Sequence, residues 1–159
     1  IRNARKHVQV RAEQFAETYK DDTVIYTMGS GAGYGAAYME SICIFMEMQW
    51  LDSASFSTGE FFHGPFELVE KDKPYLLLVN DGPTRPMDLR ALTFMERFDT
   101  KVTVVDAKDY GLDKYVPASV KEYFSPILID GILRLYAEAI AEERKHPLTM
   151  RRYMWKLQY

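Results

Sequence analysis

The stretch Thr23-Val24-Ile25-Tyr26-Thr27-Met28-Gly29-Ser30-Gly31-Ala32-Gly33-Tyr34-Gly35 decides the fold. Its first residues are β-branched or aromatic, as in a short strand. They run without a break into glycines at every second position, after which an apolar helical segment begins. Strand, glycine loop and helix together open a unit in which parallel strands alternate with crossover helices. Backbone N–H groups at such a turn, backed by the helix dipole, suit an anion, so Gly29, Ser30 and Gly31 are candidates for contact with a sugar phosphate. The loop lacks the Gly-Lys-Ser/Thr of a Walker motif, and its spacing departs from the dinucleotide fingerprint. The alternative reading is a tight turn packed closely on the sheet.

Upstream, Val8, Val10, Ala12, Phe15, Ala16 and Tyr19 recur at helical spacing over residues 3–20, which end at Asp21-Asp22. Downstream, residues 35–51 form a helix apolar on nearly every side, and Ala54–Ser57 a short strand. Residues 60–66 read as a turn or brief helix. Pro74–Asn80 form a buried strand, Thr84 or Arg85 to Phe98 an amphipathic helix, residues 101–106 another strand and residues 125–143 a long final helix. This order predicts an α/β fold: a three-layer α/β/α sandwich with a mainly parallel sheet covered on both faces and ligands bound beyond its carboxyl ends. No internal repeat or low-complexity segment interrupts it.

A chain of 159 residues, 47% hydrophobic and 27% charged, is of a size and composition for one soluble domain. No apolar run approaches the roughly 18 residues of a membrane span. With 20 basic and 23 acidic residues and a net charge of -3, no general field attracts nucleic acid, although Arg144, Lys145, Arg151 and Arg152 gather near the end. Cys43 has no disulfide partner, and its apolar flanks predict a buried thiol in a reducing compartment, the cytoplasm. The opening Ile1-Arg2-Asn3-Ala4-Arg5-Lys6-His7 has neither an initiator Met nor the core of a signal peptide, as in a piece of a longer chain.

Glu47 follows Glu40 by seven residues, which on an α-helix places the two about 20° apart on one face. Among Phe45, Met46, Met48 and Trp50, a carboxylate would be desolvated and tuned towards general acid–base work. The alternative is a solvated stripe of Glu40 and Glu47. His63, between aromatics and a Gly64-Pro65 turn, suits a proton shuttle or a histidine bonded to backbone within that turn. Ser57 and Glu60 have capping-box spacing. His7, His63 and His146 are too scattered, and the cysteine too isolated, to predict a metal site. No Gly-x-Ser-x-Gly elbow occurs.

The segment from Gly29 to Glu67, with Glu47 sixteen positions before His63 and the motif Gly59-Glu60-Phe61-Phe62-His63-Gly64-Pro65, resembles the second SIS (sugar isomerase) domain of glucosamine-6-phosphate synthase. A closer resemblance is to the fructosamine-6-phosphate deglycases, including the fructose-aspartate type. It is carried by Ser30–Tyr38, Phe45-Met46-Glu47-Met48-Gln49-Trp50 and the ending His146–Lys156, and so covers nearly the whole chain. The resemblance implies that residues 1–159 are one SIS domain, the second of a two-domain chain, with residues 146–159 as its tail. The absent N-terminal SIS domain would hold the Ser/Thr-rich loop that grips phosphate. The resemblance also implies a homodimer, no cofactor, and a phosphosugar–amino acid conjugate as substrate.

By the same resemblance, Glu47 and His63 are the proton-transfer pair, with His63 acting in the partner subunit's site. His63 would assist ring opening, and Glu47 would move the C1 proton to C2 before imine hydrolysis yields glucose 6-phosphate and an amine. Glu60, Arg151 and Arg152 join Gly29, Ser30 and Gly31 as candidate substrate contacts; the arginines either meet a carboxylate or form a solvated basic tail. Ile44 replaces a lysine of the synthase, and Arg151-Arg152-Tyr153 its lysine-bearing tail. Phosphosugar isomerisation and non-catalytic phosphosugar sensing are the competing functions.

Overall fold

Four parallel strands, β1 (Val24–Gly29), β2 (Asp52–Ser57), β3 (Tyr75–Val79) and β4 (Val102–Asp106), form one sheet in the order β2-β1-β3-β4. The structure, a computed structural model, describes residues 2–159, with side chains from His7 onward; Ile1 lies outside the described residues. Helices α1 (Arg2–Tyr19), α2 (Tyr34–Met39), α3 (Arg85–Met95) and α4 (Lys121–Glu143) flank the sheet.

All five residues of β3 are buried, because it is central and covered on both faces, the reason its apolar run shows no alternation. Alternate strand residues feed two cores. Ile25, Leu76, Leu78 and Val105 pack with Phe15, Tyr19, Phe45, Leu133 and Tyr136 from α1, α4 and the helical segment after β1. On the opposite face, Met28, Tyr75, Leu77 and Val79 pack with Ala91 and Met95 of α3 and with Phe61. Phe61 belongs to residues 58–74, which cross from β2 to β3 as short 3₁₀ turns where another α/β unit would have a helix.

Strand β2 begins two residues earlier than the sequence reading, at Asp52, and two helices depart from it further. α4 begins at Lys121 rather than Ser125 and runs through Pro126. The proline forfeits one backbone bond, and the burial of Ile129, Leu133, Tyr136, Ala137 and Ile140 along the helix offsets it. The helix after β1 keeps α geometry only as far as Met39 and is π-wound over Glu40–Met48. Its exit is marked by Gln49 N–H donating to the Ile44 carbonyl. Among the described residues, no helix is long and apolar enough to cross a membrane.

Strand β1 connects outward to β2, while β3 connects to β4 on the other side. The loops after β1 and β3 therefore part at a topological switch point, the usual crevice of such sheets. Leu77 is fully buried on the α3 face. Leu77→Ala is expected to cost about 2–5 kcal/mol, read from the urea midpoint at unchanged m-value.

Candidate functional site

At the carboxyl edge, Ser30 is 1% exposed, and its hydroxyl is spent inside the fold. It donates to Thr84 Oγ1 at 2.8 Å and accepts from Asn80 Nδ2 at 2.8 Å. Asn80 Nδ2 also reaches Asp88 Oδ2 at 2.9 Å, and Thr58 Oγ1 donates to Asp88 Oδ1 at 2.6 Å. Burial pushes the Asp88 carboxyl up, against the hydrogen bonds that pull it down. Gly31 has φ of +51°, and a Cβ there would stand 2.6 Å from Thr84 Oγ1, so the loop both turns and packs closely. The exposed residues of this loop are Gly31, Ala32 and Gly35, none with a polar side chain.

Glu47 lies at the far end of the helical segment, because residues 34–48 run from the carboxyl edge back to the start of β2. The π winding also undoes the seven-residue spacing: i→i+5 pairing widens each turn, so Glu40 and Glu47 no longer share a face. Glu40 is 1% exposed, with both oxygens unpartnered among the described residues, and burial drives its carboxyl well above the usual range. The enclosed carboxylate predicted for Glu47 is thus Glu40, and the solvated stripe does not exist. Cys43, between them, is half-buried and free.

Glu47 opens onto a cleft of about 620 Å³, walled by Trp50, Asp52 and the tail residues Arg151, Arg152, Tyr153 and Tyr159. Its Oε1 lies 3.0 Å from Arg151 Nη2. Arg151 is buried, so it is no part of a solvated tail, whereas Arg152 is exposed, with its guanidinium 4.0 Å from the centre of the Trp50 ring. His146 meets the same indole edge-on at 4.4 Å and donates nothing through its buried Nε2 among the described residues. The inward turn of Arg151 escaped the sequence reading, since its partner is more than a hundred residues away.

His63 and Glu60 lie elsewhere. They belong to the crossover that covers the α3 face, while Glu47 rides on the helix of the opposite face. Phe61 and Phe62 pack against Phe94, with Arg90 4.1 Å from the centre of the Phe62 ring, and leave His63 pointing out. The His63 backbone N–H bonds to the Glu60 carbonyl, but its imidazole has no partner among the described residues, so it is not a histidine tied to its turn. Glu60 is itself the residue before the 3₁₀ turn and makes no side-chain cap, so the capping box does not form. The candidates therefore fall at three places: Gly29, Ser30 and Gly31; Glu47, Arg151 and Arg152; Glu60 and His63. Among the described residues, no group of three or more His, Cys, Asp or Glu side chains is placed to hold a metal ion.

A parallel sheet of this order, enclosed by these helices, is the SIS fold of phosphosugar isomerases, and the chain is an SIS domain. A solved structure from Salmonella typhimurium LT2, assigned as a phosphosugar isomerase, superposes with a TM-score of 0.95 at 49% identity, over 98% of this chain and 48% of that one. Within the class the chain is a homologue of the fructosamine deglycases. It is 49% identical to fructosamine deglycase FrlB of Bacillus subtilis (strain 168) over 148 residues, 93% of this chain and 45% of the relative. It is also 32% identical to the fructoselysine 6-phosphate deglycase of Escherichia coli (strain K12) over 60% of this chain and 28% of that protein. The chain spans less than half the length of these relatives. No family model matches it.

The buried, unpartnered Glu40 gives the domain a pH dependence. Its folded pKa is raised, so the neutral acid contributes fully below the ordinary value of 4.5, and stability declines as pH climbs from there towards the raised value. Glu40→Gln cannot ionise. Relative to this variant, the wild type is expected to lose up to about 1.4 kcal/mol per pH unit above pH 5 in urea denaturation.

Proposed function

We propose that the chain is the catalytic C-terminal half of a cytoplasmic deglycase that converts a fructosamine 6-phosphate to glucose 6-phosphate and an amino acid. The observation that supports it most is the Glu47 carboxylate, half-exposed on a cleft of about 620 Å³ beside the Arg151 guanidinium. A cation beside the carboxylate suits the ionised form that a base needs. Glu47 removes the C1 proton of the opened sugar and returns it at C2. Water then hydrolyses the imine, so no redox change occurs and no cofactor is called for.

The separation of the candidates supports a composite site. His63 and Glu47 lie on opposite faces of one sheet, so the histidine beside a given Glu47 comes from the second subunit of a dimer. The glycine loop lies at the other end of the sheet. A sugar whose C1 meets Glu47 is therefore held by its phosphate through the N-terminal SIS domain that residues 1–159 lack.

Supplied separately with fructose-asparagine-, fructose-aspartate- and fructose-lysine-6-phosphate, the full-length protein is expected to release glucose 6-phosphate and the amino acid in equal amounts from one of them. Interconversion of fructose or glucosamine phosphates without amine release would make it an isomerase instead. Glu47→Gln and His63→Ala should each lower kcat by about 10²- to 10⁴-fold. Dimers reassembled from equal parts of the two variants should regain about a quarter of wild-type activity, since half are hybrids with one intact site. No recovery would return Glu47 and His63 to the same subunit.

A further inference from the structure

The two tail arginines are adjacent in sequence and differ in what they touch. The Arg151 side chain is 7% exposed, and its Nη2 lies 3.0 Å from Glu47 Oε1. Its Nη1 donates to the carbonyls of Leu148 at 2.6 Å and Met150 at 2.8 Å. The Trp155 ring centre lies 5.3 Å from its guanidinium, and Lys156 Nζ donates to its carbonyl. Arg152 instead lies over Trp50 on the exposed side of the cleft. Trp50 and Trp155 both hold left-handed backbone, with φ of 54° and 61°. A bulky residue adopts that region only where its surroundings enforce it, at a cost of order 1–3 kcal/mol. The tail is thus folded into one arrangement around Glu47, with Arg151 as its inner contact.

We propose that Arg151 is the positioning residue for Glu47: its guanidinium, anchored on two tail carbonyls, fixes the carboxylate and keeps positive charge against it throughout the proton transfer. This rests on the reading of Glu47 as the base. An arginine can serve three acceptors in a fixed plane, which a lysine ammonium on a flexible stem does not reproduce. It also stays protonated through the cycle, so it neither supplies nor takes a proton. The proton moves from C1 to a Glu47 oxygen and on to C2. While Glu47 is neutral, the cation faces no anion, which favours handing the proton on rather than retaining it. The other titratable or charged groups around Glu47 are Cys43 on its own helix, Asp52 at the start of β2, and Arg152, Tyr153 and Tyr159 of the cleft wall.

The test follows the Glu47 carboxyl by ¹³C NMR in full-length protein labelled at glutamate, with Glu47→Gln giving the assignment. In Arg151→Gln the Glu47 carboxyl resonance is expected to move by more than about twice the change that Arg152→Gln produces. With the substrate that the wild type turns over, Arg151→Gln should lower kcat at least about tenfold at little change in KM. Arg151→Lys should lose kcat as well, because charge is retained and the anchored plane is not. An unmoved resonance in Arg151→Gln, or wild-type kcat in Arg151→Lys, overturns the assignment. Should Arg151→Gln fail to fold, the lysine variant alone decides. A resonance that moves as expected in a protein inactive on every fructosamine 6-phosphate would retire the deglycase reading and leave Arg151 as the group that holds Glu47.

Discussion

Asp88 has no exposed surface, yet three donors reach its carboxylate: Thr58 Oγ1 at 2.6 Å, Asn80 Nδ2 at 2.9 Å and the Asn80 backbone N–H at 3.2 Å. Through these bonds the first turns of α3 hold the chain just after β2 and just after β3, and the Asn80 amide adds Ser30 from the end of β1. Parallel strands cannot be tied by hairpins, so their carboxyl ends need another clamp besides the ladder. A buried network of this kind stabilises when every member is satisfied and destabilises when one is missing. It also accounts for Gly31, where any side chain would strike Thr84 and disturb the cluster.

That clamp limits what the glycine loop can do. Ser30 is committed to the interior, and the loop's exposed residues, Gly31, Ala32 and Gly35, carry no polar side chain. The other end of the sheet is built differently: a partly open carboxylate, a cleft closed by the tail, and an exposed guanidinium over an indole. One end holds the domain together, and the other presents charged groups to a cleft. His63, exposed on the crossover, lies on the opposite face of the sheet from Glu47.

Local composition made the strands and most helix positions legible. Leu76-Leu77-Leu78 could hardly be anything but a central strand, and the spacing of Ala12, Phe15, Ala16 and Tyr19 gave the buried face of α1. The π winding was not legible, because a helix apolar on nearly every side has no hydrophobic period from which a turn length could be read. With the turn length wrong, Glu40 and Glu47 were assigned one face when one is enclosed and the other open. Glu47 and His63 were singled out by motif, but their placement on opposite faces depends on which side of the sheet each connection passes. Arg151 and Ser30 look like ordinary surface residues in sequence, since the partners that bury them are 104 and 54 positions away.

The π-wound stretch from Glu40 to Met48 also limits how this chain can change in length. Substitutions along it alter one side chain at a time. Loss of a single residue would let the stretch relax to the commoner α winding and would change which of its side chains face the cleft and which face the core. Glu47 would then leave the tail cleft, and Ile44 and Phe45, now buried in the core, would have to repack. The segment is therefore constrained in register as well as in composition: a descendant with one residue fewer would have to rebuild both the cleft and the core beneath it.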